Sequence, residues 1–332
     1  MIKLGIIGYG KIAKEHINVF RALKAEVVAS CNRSEKGKKM AFEEMSILRT
    51  YSSIPEMIER EKLDGIICCV SFWNNYSVAK EIIPYGIPIL LEKPPGTSLA
   101  EVIELKTMVD KYSTPLIVGM NRRHYSILRK AIDDAGGLNS ITSVEIDWSE
   151  EPQKYINRGL SSHQVSRLIF ANSLHGLDLI TFLAGRIIDP KISAKCNSSP
   201  FSWEMSMQGV SERSVMTSFS SSWINQVRWS LTINTSNKKY IFSPLEKYIL
   251  FNGNKKKRTL NQSTIDTQYK PGFYYQAEYF LDVINKKVEV SRHNIESVIP
   301  AMEIAEMLTN ECFRQDKSSI FVEKKSKQDI LI

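Results

Sequence analysis

Ile2-Lys3-Leu4-Gly5-Ile6-Ile7-Gly8-Tyr9-Gly10-Lys11-Ile12-Ala13 is the stretch whose reading decides the fold. Residues 2–7 are an apolar run of strand type, and residues 12–23 follow with the pattern of a helix. A G-x-G-x-x-A segment set between a strand and a helix reads as a dinucleotide-binding fingerprint; the same glycines without that context would carry little weight. Gly8 permits the tight turn, Gly10 lets the backbone approach a pyrophosphate, and Ala13 lets the helix lie close on the strand. The backbone N–H groups at Lys11 and Ile12, with the helix dipole behind them, would face the phosphates.

Working outward, strand and helix alternate through the first third of the chain. Strands are predicted at 26–31, 65–70, 87–91 and 116–119, and helices at 34–45, 55–61, 77–85 and 98–111. The run 65–70 is wholly apolar, as in a parallel sheet covered on both faces. Repeated units of this kind imply a doubly wound parallel sheet. The character changes after Asn121. A helix at 126–135, a strand at 141–148 and a long helix at 163–183 precede strands at 191–196, 214–221, 227–234 and 239–242, with 248–251 able to pair with one of them. Helices at 273–284 and 295–313, a short strand at 320–322 and a Lys-rich tail complete the pattern. The expected class is α/β: an N-terminal Rossmann domain, residues 1–122, and a C-terminal α+β domain, residues 123–332, built on a large, mainly antiparallel open sheet.

Composition narrows the function. A chain of 332 residues with 43% hydrophobic and 24% charged residues is that of a soluble two-domain protein. The net charge of +8 is spread along the chain. Its one dense run, Lys255-Lys256-Lys257-Arg258, follows Asn252-Gly253-Asn254 and reads as a solvated hairpin end. No aromatic interleaving or binding motif supports nucleic acid, although the positive balance suits an anionic ligand such as a nucleotide. The five cysteines form no C-x-x-C and no Cys/His cluster, so no metal site is expected and the compartment is read as reducing. With no leader-like segment and no membrane-length apolar run, the expectation is a cytoplasmic protein without a membrane or nucleic-acid partner.

Three segments carry chemistry. Cys31-Asn32-Arg33-Ser34 ends the second strand, where an acidic residue would contact an NAD ribose. Asn32 can bond a ribose and Arg33 can pair with a 2′-phosphate, so the cofactor is read as NAD(P)(H) with a lean to NADP(H). Glu92-Lys93-Pro94 follows another strand of the same sheet, at the end where such sheets do their chemistry. A lysine fixed there can donate a proton to a carbonyl oxygen or stabilise the developing alkoxide. In the long helix, residues 171, 175 and 178 share a face; His175 can act as general acid or base, and Asp178 can hold a hydroxyl or orient the histidine. The loop 150–167 is long and polar, and Tyr155 and Arg158 are candidate substrate contacts. Read one by one, each of these segments also has an ordinary structural explanation.

Together they resemble the family named for glucose–fructose oxidoreductase, inositol dehydrogenase and the rhizopine-catabolism protein MocA. Gly8 to His16, Glu92-Lys93-Pro94, Gly119-Met120-Asn121-Arg122-Arg123 and His175-Gly176-Leu177-Asp178-Leu179 stand in the family's order, and the resemblance covers nearly the whole chain. It implies hydride transfer between a nicotinamide and a carbinol carbon of a sugar, nucleotide sugar or cyclitol, and a homodimer or homotetramer formed through the open sheet. Lys93 and His175 match the catalytic pair and Asp178 a substrate aspartate, with Arg122 and Asn172 as further substrate contacts. Two departures stand out. The aspartate found in many members four residues before the histidine is Ala171 here, and Asn172 beside it points roughly 100° away on a helix of 3.6 residues per turn. After Val70 the family's Thr-Pro and histidine give way to Ser71-Phe72-Trp73-Asn74-Asn75. Ser71, Phe72, Trp73 and Asn75 are expected to line the cofactor, with Glu92 and Lys93 beyond them. These departures leave open reduction of a C=N or C=C bond in a non-sugar metabolite, or dinucleotide binding without turnover.

Overall fold

A computed structural model of the chain describes residues 1–197, 201–225 and 229–315. It divides into two compact units: Met1–Leu128 with Gln262–Ile299, and Arg129–Asn261 with the described residues from Pro300 onward.

The first unit is built on β1 (Lys3–Ile7), β2 (Glu26–Cys31), β3 (Arg49–Tyr51), β4 (Gly65–Cys68), β5 (Ile89–Leu91) and β6 (Leu116–Val118). They lie in the order β3-β2-β1-β4-β5-β6, every pair parallel. This is the doubly wound order, and the direction of winding reverses between β1 and β4. Strands β1, β4, β5 and β6 are almost wholly buried, as their unbroken apolar runs require. The short β3, half-buried at the sheet edge, carries no such run and was not anticipated.

The expected boundary at residue 122 is displaced, and the chain crosses back. Helix Phe273–Ile284, read as part of the second domain, packs in the first unit: Phe273, Ala277 and Phe280 share a core with Leu4, Ile17 and Phe20. The apolar stripe at i, i+4 and i+7 identifies a buried face but not which domain buries it. Two features fasten this return. Arg123, 3% exposed, donates to the carbonyls of Arg292 and Ser297 and to Ser297 Oγ. Gly272 has φ +80°, and a Cβ there would run into the Asn121 carbonyl, so no other residue fits.

The second unit carries β7 (Ile141–Ser149), β8 (Ile187–Cys196), β9 (Trp203–Ser211), β10 (Met216–Ser222), β11 (Ser230–Thr235), β12 (Lys238–Phe242), β13 (Lys247–Asn252) and β14 (Lys255–Asn261). The order is β14-β13-β12-β11-β7-β10-β9-β8. Only β7 and β10 run parallel; the other described pairs are antiparallel. Trp148, Met205, Met207, Phe219 and Leu231 point into the core on one face. Helix Leu174–Ala184 lies against that face, close enough that a Cβ on Gly176 would stand 3.0 Å from Trp148 and Phe219. The alternating positions Glu145, Asp147, Gln208 and Ser220 are exposed. The basic run is itself the exposed edge strand β14, where like charges discourage further pairing. The strand expected at 320–322 and the tail lie outside the described residues. Among the described residues no helix is long and apolar enough to cross a membrane.

Candidate active site

The glycine turn sits at the carboxyl end of β1, at the reversal point of the sheet. Gly8 has φ +83°, and a Cβ there would meet the Cys69 carbonyl oxygen at 2.9 Å; its N–H donates to the Cys31 carbonyl at 2.9 Å. Gly10 differs. Its backbone is extended, and a Cβ would meet nothing within 4 Å, so this glycine keeps space open at the start of helix Lys11–Ala22. No side chain caps that helix and its first turn holds no acidic residue. Free N–H groups, an open approach and the dipole of a twelve-residue helix fit a pyrophosphate. Ala13 is fully buried, Ile12 half-buried and Lys11 exposed. Tyr9 and Lys14 are both engaged by Glu44; burial, then the Glu44 carboxylate, pushes the Tyr9 phenol up to about 12. At the end of β2, Asn32 is buried with its amide donated to Ser30 Oγ at 3.3 Å, and Arg33 is exposed.

Glu92 and Lys93 leave the end of β5 in a turn held from two sides. His16, with no exposed surface, presents Nε2 to Glu92 Oε1 at 2.8 Å, the N–H donating to the carboxylate. Asn75, also fully buried, donates both amide protons, to the carbonyls of Glu92 and Pro94, each at 2.8 Å. Asn75 therefore faces the lysine turn, and its amide is spent on that backbone. Phe72 and Trp73 form a tilted pair, centroids 4.1 Å apart, in the short turn Phe72–Asn74, with Ser71 exposed ahead of them. Lys93 and Arg122 are half-buried. Sequence reasoning missed Lys270. Its ammonium lies 4.9 Å from the Phe273 ring centroid, and burial holds its pKa below the usual lysine range, opposed by Glu92 and reinforced by Arg122.

In the second unit the long helix expected at 163–183 is broken. Ser162–Ser166 is a short helix, Ile169–Ser173 is π-helical, and Leu174–Ala184 is a regular helix that buries His175 (4% exposed) and Asp178 (1%). The angle expected for Asn172 assumed a regular α-helix and does not apply across the wider π-turn. Asn172 donates to Tyr155 Oη and to Glu150 Oε2, the latter at 3.3 Å, and Ser173 Oγ donates to Glu150 Oε1 at 3.1 Å. Arg158, exposed, stands 5.8 Å from the Tyr155 ring centroid. Glu150, 5% exposed, was seen only as the start of a polar loop; nothing in its sequence context marks it.

Residues 2–120 match the family model described as oxidoreductase family, NAD-binding Rossmann fold. The rhizopine catabolism protein MocA of Rhizobium meliloti is 26% identical over 45% of this chain and 48% of its own length. Inositol 2-dehydrogenase of Corynebacterium glutamicum is 25% identical over 60% of this chain and 59% of its own. The crystal structure of a Gfo/Idh/MocA family oxidoreductase from Vibrio cholerae superposes with a TM-score of 0.79 at 18% identity, over 95% of this chain and 99% of that one.

Residues 2–120, most of the first unit, are thus similar to the NAD-binding Rossmann domain of that oxidoreductase family.

The chain spans about half the length of the curated relatives it matches, and the structural likeness shows a shared fold over the remainder. The residues expected to serve the cofactor lie in the first unit, with Lys93 and Arg122. Those of the histidine helix and of the loop after β7 fall together in the second.

Proposed function

We propose that this chain is an NAD(P)-dependent oxidoreductase acting on a carbinol or ketone carbon of a sugar, nucleotide sugar or cyclitol. The observation that carries the reading is the open, uncapped helix start at Gly10 on the reversal point of a doubly wound sheet, with a lysine presented two strands away at the end of β5. When bound, the nicotinamide supplies or accepts the hydride. The chain's own residues hold the nucleotide and move the proton. Gly8, Gly10, Lys11, Ile12 and Ala13 receive the pyrophosphate, and Asn32 and Arg33 face the adenosine ribose. Ser71, Phe72 and Trp73 flank the nicotinamide side. Lys93 Nζ takes the proton from the carbinol oxygen in oxidation and returns it in reduction. His175 is the second acid–base group of the reading, and Asp178, Asn172, Tyr155, Arg158 and Arg122 are its candidates for holding substrate hydroxyls. Small polyhydroxylated substrates are supported by the relative named inositol 2-dehydrogenase.

Fluorescence titration with NADPH and NADH tests the first half of this reading. Binding of neither by folded protein overturns it. Preference for NADPH, lost in Arg33→Ala, assigns the 2′-phosphate to Arg33; preference for NADH rejects that role. A panel of inositol, galactose and glucose 6-phosphate tests the second half, and unchanged turnover in Lys93→Met removes Lys93 from the chemistry.

Self-association through the second sheet is part of the proposal. Ile188, Val210 and Met216 are 60%, 49% and 66% exposed, and register pairs Ile188 with Val210 and Val210 with Met216. An exposed apolar row across three adjacent strands favours contact with a second copy.

A further inference from the structure

The Glu150 carboxylate is held between the end of β7 and the turn ahead of His175. β7 is flanked by β11 and β10, and the Glu150 N–H extends the ladder one residue further by donating to the Ser222 carbonyl at 3.1 Å. Its two oxygens accept from consecutive residues of the π-turn, Ser173 on one and Asn172 on the other. The Asn172 amide has two protons; one goes to Glu150, and the other goes to the phenol oxygen of Tyr155. A carboxylate only accepts, so it dictates which way round the amide sits, nitrogen toward both partners. The Tyr155 oxygen is thereby an acceptor toward Asn172, and its own O–H must point elsewhere. Among the described residues it meets no acceptor, and Tyr155 is only half-buried.

We propose that Glu150 is a positioning residue of the substrate site, locking Asn172 so that the Tyr155 hydroxyl donates a hydrogen bond to an oxygen of the substrate. This rests on the reading of the chain as an oxidoreductase of hydroxylated substrates. It goes beyond that reading by bringing a carboxylate from β7 to the residues just ahead of His175, where Ala171 supplies none. Charge supports the direction of the bond. Burial first, then the Glu150 carboxylate, raises the Tyr155 pKa against the opposing pull of Asn172 and Arg158, which keeps the phenol a donor at neutral pH.

The test uses the full chain labelled with tyrosine carbon-13 at Cζ, the Tyr155 resonance being assigned by its loss in Tyr155→Phe. At neutral pH, Glu150→Gln is expected to move that resonance while circular dichroism and NADH affinity stay at wild-type values. An unmoved resonance overturns the proposal without any substrate being known. With whichever of inositol, galactose or glucose 6-phosphate reduces the nucleotide, Glu150→Gln and Tyr155→Phe should each raise KM about five- to tenfold with kcat within about twofold. The double variant should be no worse than Tyr155→Phe alone, because both remove one interaction. Independent, multiplying losses, or a fall in kcat at constant KM, overturn the proposal. If no polyol reacts, the oxidoreductase reading fails, while the resonance still decides whether Glu150 governs Tyr155.

Discussion

Replacing Asn75 separates two roles that the sequence could not distinguish: a wall of the cofactor site, or a clamp on the turn that carries Lys93. The side chain has no exposed surface, and both amide protons go to carbonyls of that turn at 2.8 Å. Asn75→Ala strands two buried carbonyl oxygens. Each costs about 1–3 kcal/mol, and partial relaxation brings the sum to about 2–4 kcal/mol. Asn75→Asp should be worse, because an ionised carboxylate cannot donate and would be set against two carbonyl oxygens. The assay is urea unfolding followed by circular dichroism, paired with NADH titration of the folded variants. A clamp predicts a loss of stability near the stated size, turnover reduced through displacement of Lys93, and NADH affinity within about threefold of wild type. A cofactor contact predicts the reverse: intact stability and an affinity loss of about tenfold, the equivalent of one lost hydrogen bond. If Asn75→Ala unfolds within about 0.5 kcal/mol of wild type, the argument from its two hydrogen bonds is wrong.

Other predictions follow from the same geometry. Gly8→Ala and Gly10→Ala should part company: the first destabilises the fold, because of its positive φ and the Cys69 carbonyl 2.9 Å from the new Cβ. The second should leave the unfolding midpoint unchanged and weaken NADH binding, since the methyl enters the open space at the helix start; equal midpoints for both would refute the distinction. Burial pushes the Cys31 thiol up to about 11 and the Cys68 thiol up to about 12. Raised folded-state values mean that the unfolded chain ionises first, so stability is whole below about pH 9 and declines as pH climbs through that window. Urea midpoints at pH 8 and 10.5 should differ accordingly, and less so in Cys68→Ala. Val210→Lys with Met216→Lys should shift sedimentation toward the monomer while leaving circular dichroism unchanged; an unaltered species distribution would acquit this row.

The first sheet was legible because each of its strands except β3 announces itself within a few residues by an apolar run. Local signals set its order once crossovers are right-handed and short. The second sheet was less so. In β9 the alternation Trp203, Met205, Met207 against Glu204, Ser206, Gln208 is a period-two pattern that was there to be read. β14 was hidden by its lysines, which suit an exposed edge as well as they suit a loop. Helix Phe273–Ile284 shows its apolar face plainly, yet its assignment to the first unit depends on Phe20 and Leu4, more than 250 residues earlier.

The candidate site follows the same division. Lys93, His175 and Asp178 are nominated because motif order along the chain marks them. Glu150 is not, because its contacts exist only across space: Asn172 and Ser173 stand more than 20 residues away and belong to a turn whose wider period breaks the arithmetic used to aim side chains. That same wider turn changes the meaning of Ala171. Judged on a regular helix, the missing aspartate leaves a gap that its neighbour cannot reach. On the π-turn the neighbour donates both to the Glu150 carboxylate, one residue past β7, and to Tyr155 Oη. A substitution that looks like a loss when read along the chain is thus consistent with a site whose acidic group arrives from another element.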